Sequence, residues 1–160
     1  MPSKKEIGSR LRREILPLIF APKISIETLE ANFQFIAENN EKSVCLLFNR
    51  NYEVRFFKFE NQYLPTIQLI REHPYIGFPV VKVDQGAVHH ILNGADIFAQ
   101  GIASIDREFN AGSIIMVSNP QNAIIALGKS LNSSVELPTL KGRVILNVHY
   151  LGDSIWEGKL

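Results

Sequence analysis

The sequence has little cysteine, no surplus of either charge and no long apolar run, and each shortage closes off a class of protein. Its single cysteine, Cys45, can neither form an internal disulfide nor build a cysteine zinc cluster. Its place within Val44-Cys45-Leu46-Leu47-Phe48 predicts a buried, inert core thiol. Lysine and arginine number 17 against 16 aspartates and glutamates, for a formal net charge of +1. The chain as a whole therefore exerts no long-range pull on a polyanion, and any nucleic-acid affinity has to come from local clustering. Nowhere do about 18 uncharged apolar residues follow one another, and Met1-Pro2-Ser3-Lys4-Lys5 lacks the apolar stretch of a secretory leader. The expectation is a soluble, cytoplasmic protein.

Catalytic signatures are missing as well. The sequence contains no nucleophile elbow, no phosphate-binding glycine loop and no paired-histidine metal motif. His149 and Asp153 could be imagined as a catalytic pair, but on a strand and its following turn they read as a structural hydrogen bond. The expectation is no enzymatic activity, no metal and no cofactor. Internal repeats and low-complexity tracts are absent too.

What is present is an apolar fraction of 46% over 160 residues, enough for one ordinary domain or two compact ones. Ser3 followed by Glu6 has capping-box spacing, and Ile7, Leu11 and Ile15 recur every four residues, which predicts a helix from about Lys4 to Pro17. Lys4, Lys5, Arg10, Arg12 and Arg13 give it a basic face, suited to phosphate or an acidic partner, or simply solvated. A second helix is expected from Ser25 to Asn39, with Leu29, Phe33, Ile36 and Ala37 on one side. Ser43 to Phe48 and Tyr52 to Phe59 then read as a hairpin turning at Asn49-Arg50-Asn51. Pro65 is suited to the first turn of a short helix that His73-Pro74 closes. The proline- and glycine-bearing stretch Pro74 to Pro79 marks the junction between a domain at 1–78 and one at 79–160.

Past the junction the pattern is mostly β. Val80 to Val83, Ile114 to Ser118, Ala123 to Lys129 and Arg143 to Tyr150 read as short strands of a small barrel or sandwich. One helix interrupts them: Asp84 caps it, Ala87, Val88, Ile91 and Leu92 bury one side, and Gly94 ends it in a left-handed conformation. His89, His90 and Asn93 then face outward. Gly86 and Gly94 would let backbone approach a sugar-phosphate chain, or serve only helix packing and capping. Lys82, Lys129, Lys141 and Arg143 could add charge nearby. Tyr150 and Trp156 could stack on bases, though Trp156 is expected to pack internally.

Val83-Asp84-Gln85-Gly86-Ala87, then Ile91 to Ile97, then Gly101-Ile102 resemble the opening of a PUA domain, the RNA-binding module of pseudouridine synthases and archaeosine transglycosylases. Gly112 to Val117 and Ala126-Leu127-Gly128 resemble later strands of the same module. The ending His149 to Trp156, with Tyr63-Leu64-Pro65-Thr66-Ile67 upstream, is similar to the malignant-T-cell-amplified-sequence family, especially its archaeal-type stand-alone members. That resemblance implies an α+β fold: a small N-terminal α+β (pre-PUA) domain, then a PUA-type pseudo-barrel of short strands with one or two short helices. It implies RNA binding in translation, on tRNA or small-subunit rRNA, with the small ribosomal subunit or a density-regulated-protein-like protein as partner. The alternative is an accessory RNA-binding or adaptor subunit of a tRNA- or rRNA-modification enzyme. The candidate RNA-contacting residues are Lys82, Gly86, Ala87, His89, His90, Asn93, Gly94, Ala95, Asp96, Gly101, Lys141 and Arg143. The chain departs from the family pattern at Gln100, where proline usually stands, and at Ser113, where aspartate does. It also departs at His89 and His90, where a lysine or arginine would serve phosphate better.

Overall fold

The computed structural model describes residues 4–73 and 76–160. Ser3, proposed as a cap, and Pro74 and Tyr75 of the junction lie outside the described residues. Two compact units emerge: one holds the chain up to Gly77 together with Ser154–Leu160, the other Phe78–Asp153. The closing Ser154–Leu160 segment thus belongs with the first unit, whereas the sequence reading put it in the second.

The first unit is a five-stranded antiparallel sheet in order β1-β2-β3-β4-β5. Its strands are β1 (Lys4–Glu6), β2 (Phe35–Glu38), β3 (Val44–Phe48), β4 (Val54–Phe59) and β5 (Gln62–Pro65). Three short helices accompany it: α1 (Ser9–Ile15), α2 (Ile26–Ala31) and α3 (Ile67–Glu72).

The helix expected from Lys4 is a strand for its first turn. Lys4, Lys5 and Glu6 pair with Ala37, Ile36 and Phe35, the extended backbone of Gly8 separates them from α1, and Pro17 sits in a 3₁₀ turn beyond it. The second expected helix stops at Asn32, because Phe35-Ile36-Ala37 takes an inner sheet position between β1 and β3. Ladder hydrogen bonds on both sides outweigh a helical spacing whose later members are β-competent.

The β3–β4 hairpin forms, and Asn49 Oδ1 accepts the backbone N–H groups of Asn51 and Glu53 at 3.0 Å each. The left-handed residue of that turn is Tyr52, at φ 60°. Pro65 ends β5 instead of opening a helix; Thr66 caps α3, its hydroxyl accepting from Leu69 N–H. Cys45 is half-buried, not fully enclosed, because it lies near the start of β3 with its Sγ 3.3 Å from the Ser43 carbonyl.

Many cations of this unit are engaged within it. Arg55, 3% exposed, meets Glu72 through two contacts at 2.6 and 3.1 Å and Glu53 at 3.0 Å. Arg12 lies over the Phe33 ring, Lys5 pairs with Glu38, and Lys4 sits over Phe48 and Tyr52. The basic face read from α1 is thus partly structural.

The second unit is a six-stranded sheet in order β7-β11-β10-β9-β6-β8. Its strands are β6 (Val80–Val83), β7 (Ile97–Phe98), β8 (Ile102–Ile105), β9 (Ile114–Ser118), β10 (Ile124–Ser130) and β11 (Arg143–Tyr150). α4 (Gln85–Ile91) follows β6. Neighbours pair antiparallel except β6 and β9, which run parallel. The α+β class and the expected strands are found, with β7 and β8 added: Ile97-Phe98 and Ile102 to Ile105 are too short for a period to show.

Val81, Val83, Ile91, Ile97, Ile115, Val117, Leu127 and Ile145 fill the core, each at most 1% exposed. Gly128 is required where β10 and β11 cross closely: a Cβ there would lie 2.5 Å from Ile145 Cγ2 and 2.7 Å from the Leu146 carbonyl oxygen. His149, fully buried, places Nδ1 2.9 Å from Asp153 Oδ2, and that same oxygen accepts the Tyr150 backbone N–H at 2.9 Å. The pair closes the turn after β11, the structural role its spacing suggested.

Candidate nucleic-acid interface

α4 is capped by Asp84, whose carboxylate accepts the Ala87 N–H at 2.9 Å, and beyond its last residue, Ile91, the chain turns at Gly94, which sits at φ 92°. Ile91 turns inward while His89 and His90 stay exposed. Gly101 lets the following segment close on the helix: a Cβ there would stand 3.0 Å from that of Ala87. Asn147 of β11 then fixes the helix end. Its side-chain amide donates to the Ile91 carbonyl at 3.0 Å and the Ala95 carbonyl at 2.9 Å, and its backbone N–H donates to Asp96 Oδ1 at 2.8 Å.

These constraints leave a cleft of about 610 Å³ between α4, β7 and the loop before β11. Ala87, Ile91, Ala95, Ile97, Phe98 and Gly101 form its apolar walls. Asp84, His90, Asp96, Gln100 and Gly142 supply its polar groups. Phe98 is 54% exposed on a strand of only two residues, an aromatic face left open beside the cleft. Gln100 accepts the Gly142 N–H through Oε1 at 3.1 Å, a tether that the proline usual at this position could not make. Arg143 is exposed and reaches Asp96 Oδ2 at 3.2 Å. Lys141 is exposed immediately before Gly142 and forms no ion pair among the described residues.

Of the residues singled out from sequence, Ala87, His90, Ala95, Asp96 and Gly101 line this cleft, and Arg143 joins them through Asp96. His89 and Asn93 lie together outside the lining, with Asn93 Nδ2 donating to the His89 carbonyl at 2.9 Å. Gly86 is exposed in the first turn of α4. The space beside Gly94 is taken by Tyr150, whose hydroxyl would lie 3.3 Å from an added Cβ, so this glycine serves capping and packing. Tyr150 is thereby packed against the core and half-buried. Lys82 is half-buried on β6, across from Ser104 and Ser118, and does not line the cleft. Trp156 is half-buried in the first unit, where its carbonyl accepts from Gln68 Nε2 at 3.0 Å.

The cradle expected at the start of α4 needs correction. Asp84 occupies that end with a carboxylate and already bonds the Ala87 N–H, so the seven-residue helix does not present a bare donor cluster to phosphate. Sequence reasoning also missed Phe98, Gln100 and Asn147. The alternation of Ile97 inward with Phe98 outward, and the departure at Gln100, were the available signals.

Residues 79–151 match the family model described as the PUA domain. The chain thus carries a PUA domain over that segment, a little under half of its length. The PUA domain so defined nearly coincides with the second unit. The chain is 30% identical over 120 residues to Translation machinery-associated protein 20 of Saccharomyces cerevisiae, covering 69% of this chain and 65% of the yeast protein. The match thus spans a little under two thirds of that relative's length. It is 29% identical over 170 residues to the Malignant T-cell-amplified sequence 1 homolog of Dictyostelium discoideum, covering 96% of this chain and 90% of that protein. The resemblance read from the motifs is borne out by these relatives. A conserved PUA domain protein from Thermoplasma acidophilum superposes with a TM-score of 0.72 at 22% identity, covering 99% of this chain and 100% of that one, a likeness of fold. Among the described residues no helix is long and apolar enough to cross a membrane, and no cluster of three or more His, Cys, Asp or Glu side chains could hold a metal ion.

Proposed function

We propose that this protein binds RNA of the translation machinery, tRNA or small-subunit rRNA, through its PUA domain and without catalysing a reaction on it. The observation that carries the reading is the apolar cleft beside α4, with exposed Phe98 at its side and Lys141 and Arg143 next to it. Apolar walls and an open aromatic ring suit an unstacked base, which every nucleotide can present by its π-face. Carboxylates at Asp84 and Asp96 make the cleft floor unsuited to phosphate, which is better met outside by Lys141, Arg143 and His89. Gly86, Asn93 and Gly94 border this surface, whereas Lys82 is a more distant contributor of charge. The similarity to Translation machinery-associated protein 20 of yeast supports the link to translation.

The test is binding of purified protein to total tRNA and to rRNA from small ribosomal subunits across a salt series. The logarithm of the binding constant should fall linearly with log salt, with a slope of about −0.7 to −0.9 for each phosphate neutralised. Phe98→Ala should weaken binding at all salt concentrations, and Lys141→Ala should lower the slope by roughly one contact. Absence of binding to either RNA would refute the reading. Recovery from native lysate of a modification enzyme with free tRNA, in place of small subunits, would favour the accessory-subunit alternative.

A further inference from the structure

We propose that RNA binding by this protein is proton-coupled through the histidine pair on α4, so that affinity rises as pH falls below neutrality. The inference rests on the RNA-binding reading above. His89 and His90 are both exposed, adjacent on one helix, with ring centroids 5.8 Å apart. His90 lines the cleft, and among the described residues no lysine or arginine lines it. His90 is therefore the one side chain of the lining that can take on positive charge.

The surroundings define what that charge would do. From its own helix His90 shares the cleft with Asp84; from the segment after the helix, with Asp96, which Arg143 of β11 already contacts at 3.2 Å. From β7 and the turn beyond it the cleft receives Phe98 and Gln100, and from the loop before β11 Gly142, with Lys141 next in sequence. His89 has Asn93 as its polar neighbour, Nδ2 lying 3.4 Å from Nε2. With neutral imidazoles the lining holds two carboxylates, one of them met by Arg143 from outside, and offers an approaching phosphate no cation of its own. A proton on His90 offsets one carboxylate, and a proton on His89 adds a charge-assisted donor on the same helix. Histidine is the side chain whose ordinary titration falls between pH 5 and 8. Lysines at these two positions would hold the interface permanently charged; histidines make it conditional.

The sign follows from linkage. If the complex holds more protons than its separated parts, lowering pH through the histidine range strengthens binding, and raising it removes the gain. Binding of total tRNA at fixed ionic strength should tighten roughly tenfold from pH 8.0 to pH 5.5, the size of one strong charge-assisted contact. The salt slope should steepen over the same interval. His89→Asn with His90→Asn should flatten the profile, so that the ratio of the affinities at pH 5.5 and pH 8.0 falls to about one whatever the affinity at pH 8.0. His89→Lys with His90→Lys should bind at every pH about as tightly as the unsubstituted protein does at pH 5.5. Thermal melts of both variants check that the fold is retained, and the lysine pair separates a charge effect from loss of a structural imidazole. A pH-independent affinity in the unsubstituted protein, or a pH dependence that survives the asparagine pair, overturns this inference and leaves the RNA-binding reading standing. No binding at any pH overturns both.

Discussion

The two units use their charged side chains in opposite ways. In the first, Arg55, Arg12, Lys4 and Lys5 are turned to internal partners: carboxylates, aromatic rings and a neighbouring strand. In the PUA domain the core is assembled almost wholly from aliphatic residues, while Lys141, His89 and His90 stay exposed around a cleft. A cation count would have favoured the first unit, with its basic N-terminal segment, as the polyanion-binding half. Geometry gives Lys4, Lys5 and Arg12 of that segment partners within the fold, whereas Lys141 of the second unit is exposed and forms no ion pair among the described residues. Charge marks an interface only where the protein does not already employ it.

That contrast can be broken most forcefully at Gly128. Replacement by alanine would drive a methyl group into Ile145 and the Leu146 carbonyl, and should destabilise the PUA domain by about 3 kcal/mol, read by urea unfolding followed with circular dichroism. If Gly128→Ala is neutral, the close crossing of β10 and β11 is not the constraint described.

Next in size is Arg55→Ala, which removes a buried side chain and leaves Glu53 and Glu72 without their shared cation. The expected cost is about 2 kcal/mol. Trp156 belongs to the first unit and is the protein's sole tryptophan, so its fluorescence reports that unit directly. RNA affinity should be unchanged, and a large loss of affinity would contradict the division of labour between the units.

Asp153→Ala should cost about 1–2 kcal/mol, because it strands the buried His149 and the Tyr150 N–H without their carboxylate. Urea midpoints compared with those of Asp153→Asn, which keeps an acceptor, isolate the hydrogen bonds from packing.

The smallest effect concerns Glu53. A hydrogen bond from Asn49, and then the nearby Arg55 guanidinium, hold its carboxyl below the ordinary carboxylate range. A group with a depressed folded-state pKa contributes stability above its unfolded value and loses it as pH falls through the folded one. Asn49→Ala should therefore move the acid limb of Trp156-detected unfolding slightly toward neutral pH. An unshifted limb would show that this half-exposed carboxylate carries no measurable share.

Legibility from sequence was uneven for the same reasons. In the PUA domain β6, α4, β9, β10 and β11 could be read nearly to the residue, since Asp84, Gly94, Gly112 and the Asn119-Pro120 turn punctuate apolar runs whose local preference agrees with their final place. In the first unit, Lys4 to Glu6 and Phe35 to Glu38 fit a helical spacing and became strands, because each found a sheet neighbour far along the chain. The candidate interface divides likewise. Ala87, His90, Ala95, Asp96 and Gly101 were visible through their motifs; Phe98, Gln100 and Asn147 were not, because their roles depend on β11 passing beside α4.

By itself the sequence determined the class of fold and the capped helix between its glycines, both of which follow from local chemistry and apolar periodicity. Only tertiary structure decided that Arg12 lies over Phe33, that Arg55 meets Glu72 and Arg143 meets Asp96, and what Gly94 and Gly101 make room for. Those outcomes depend on distances between segments tens of residues apart, and a one-dimensional pattern fixes which groups exist without fixing which of them meet.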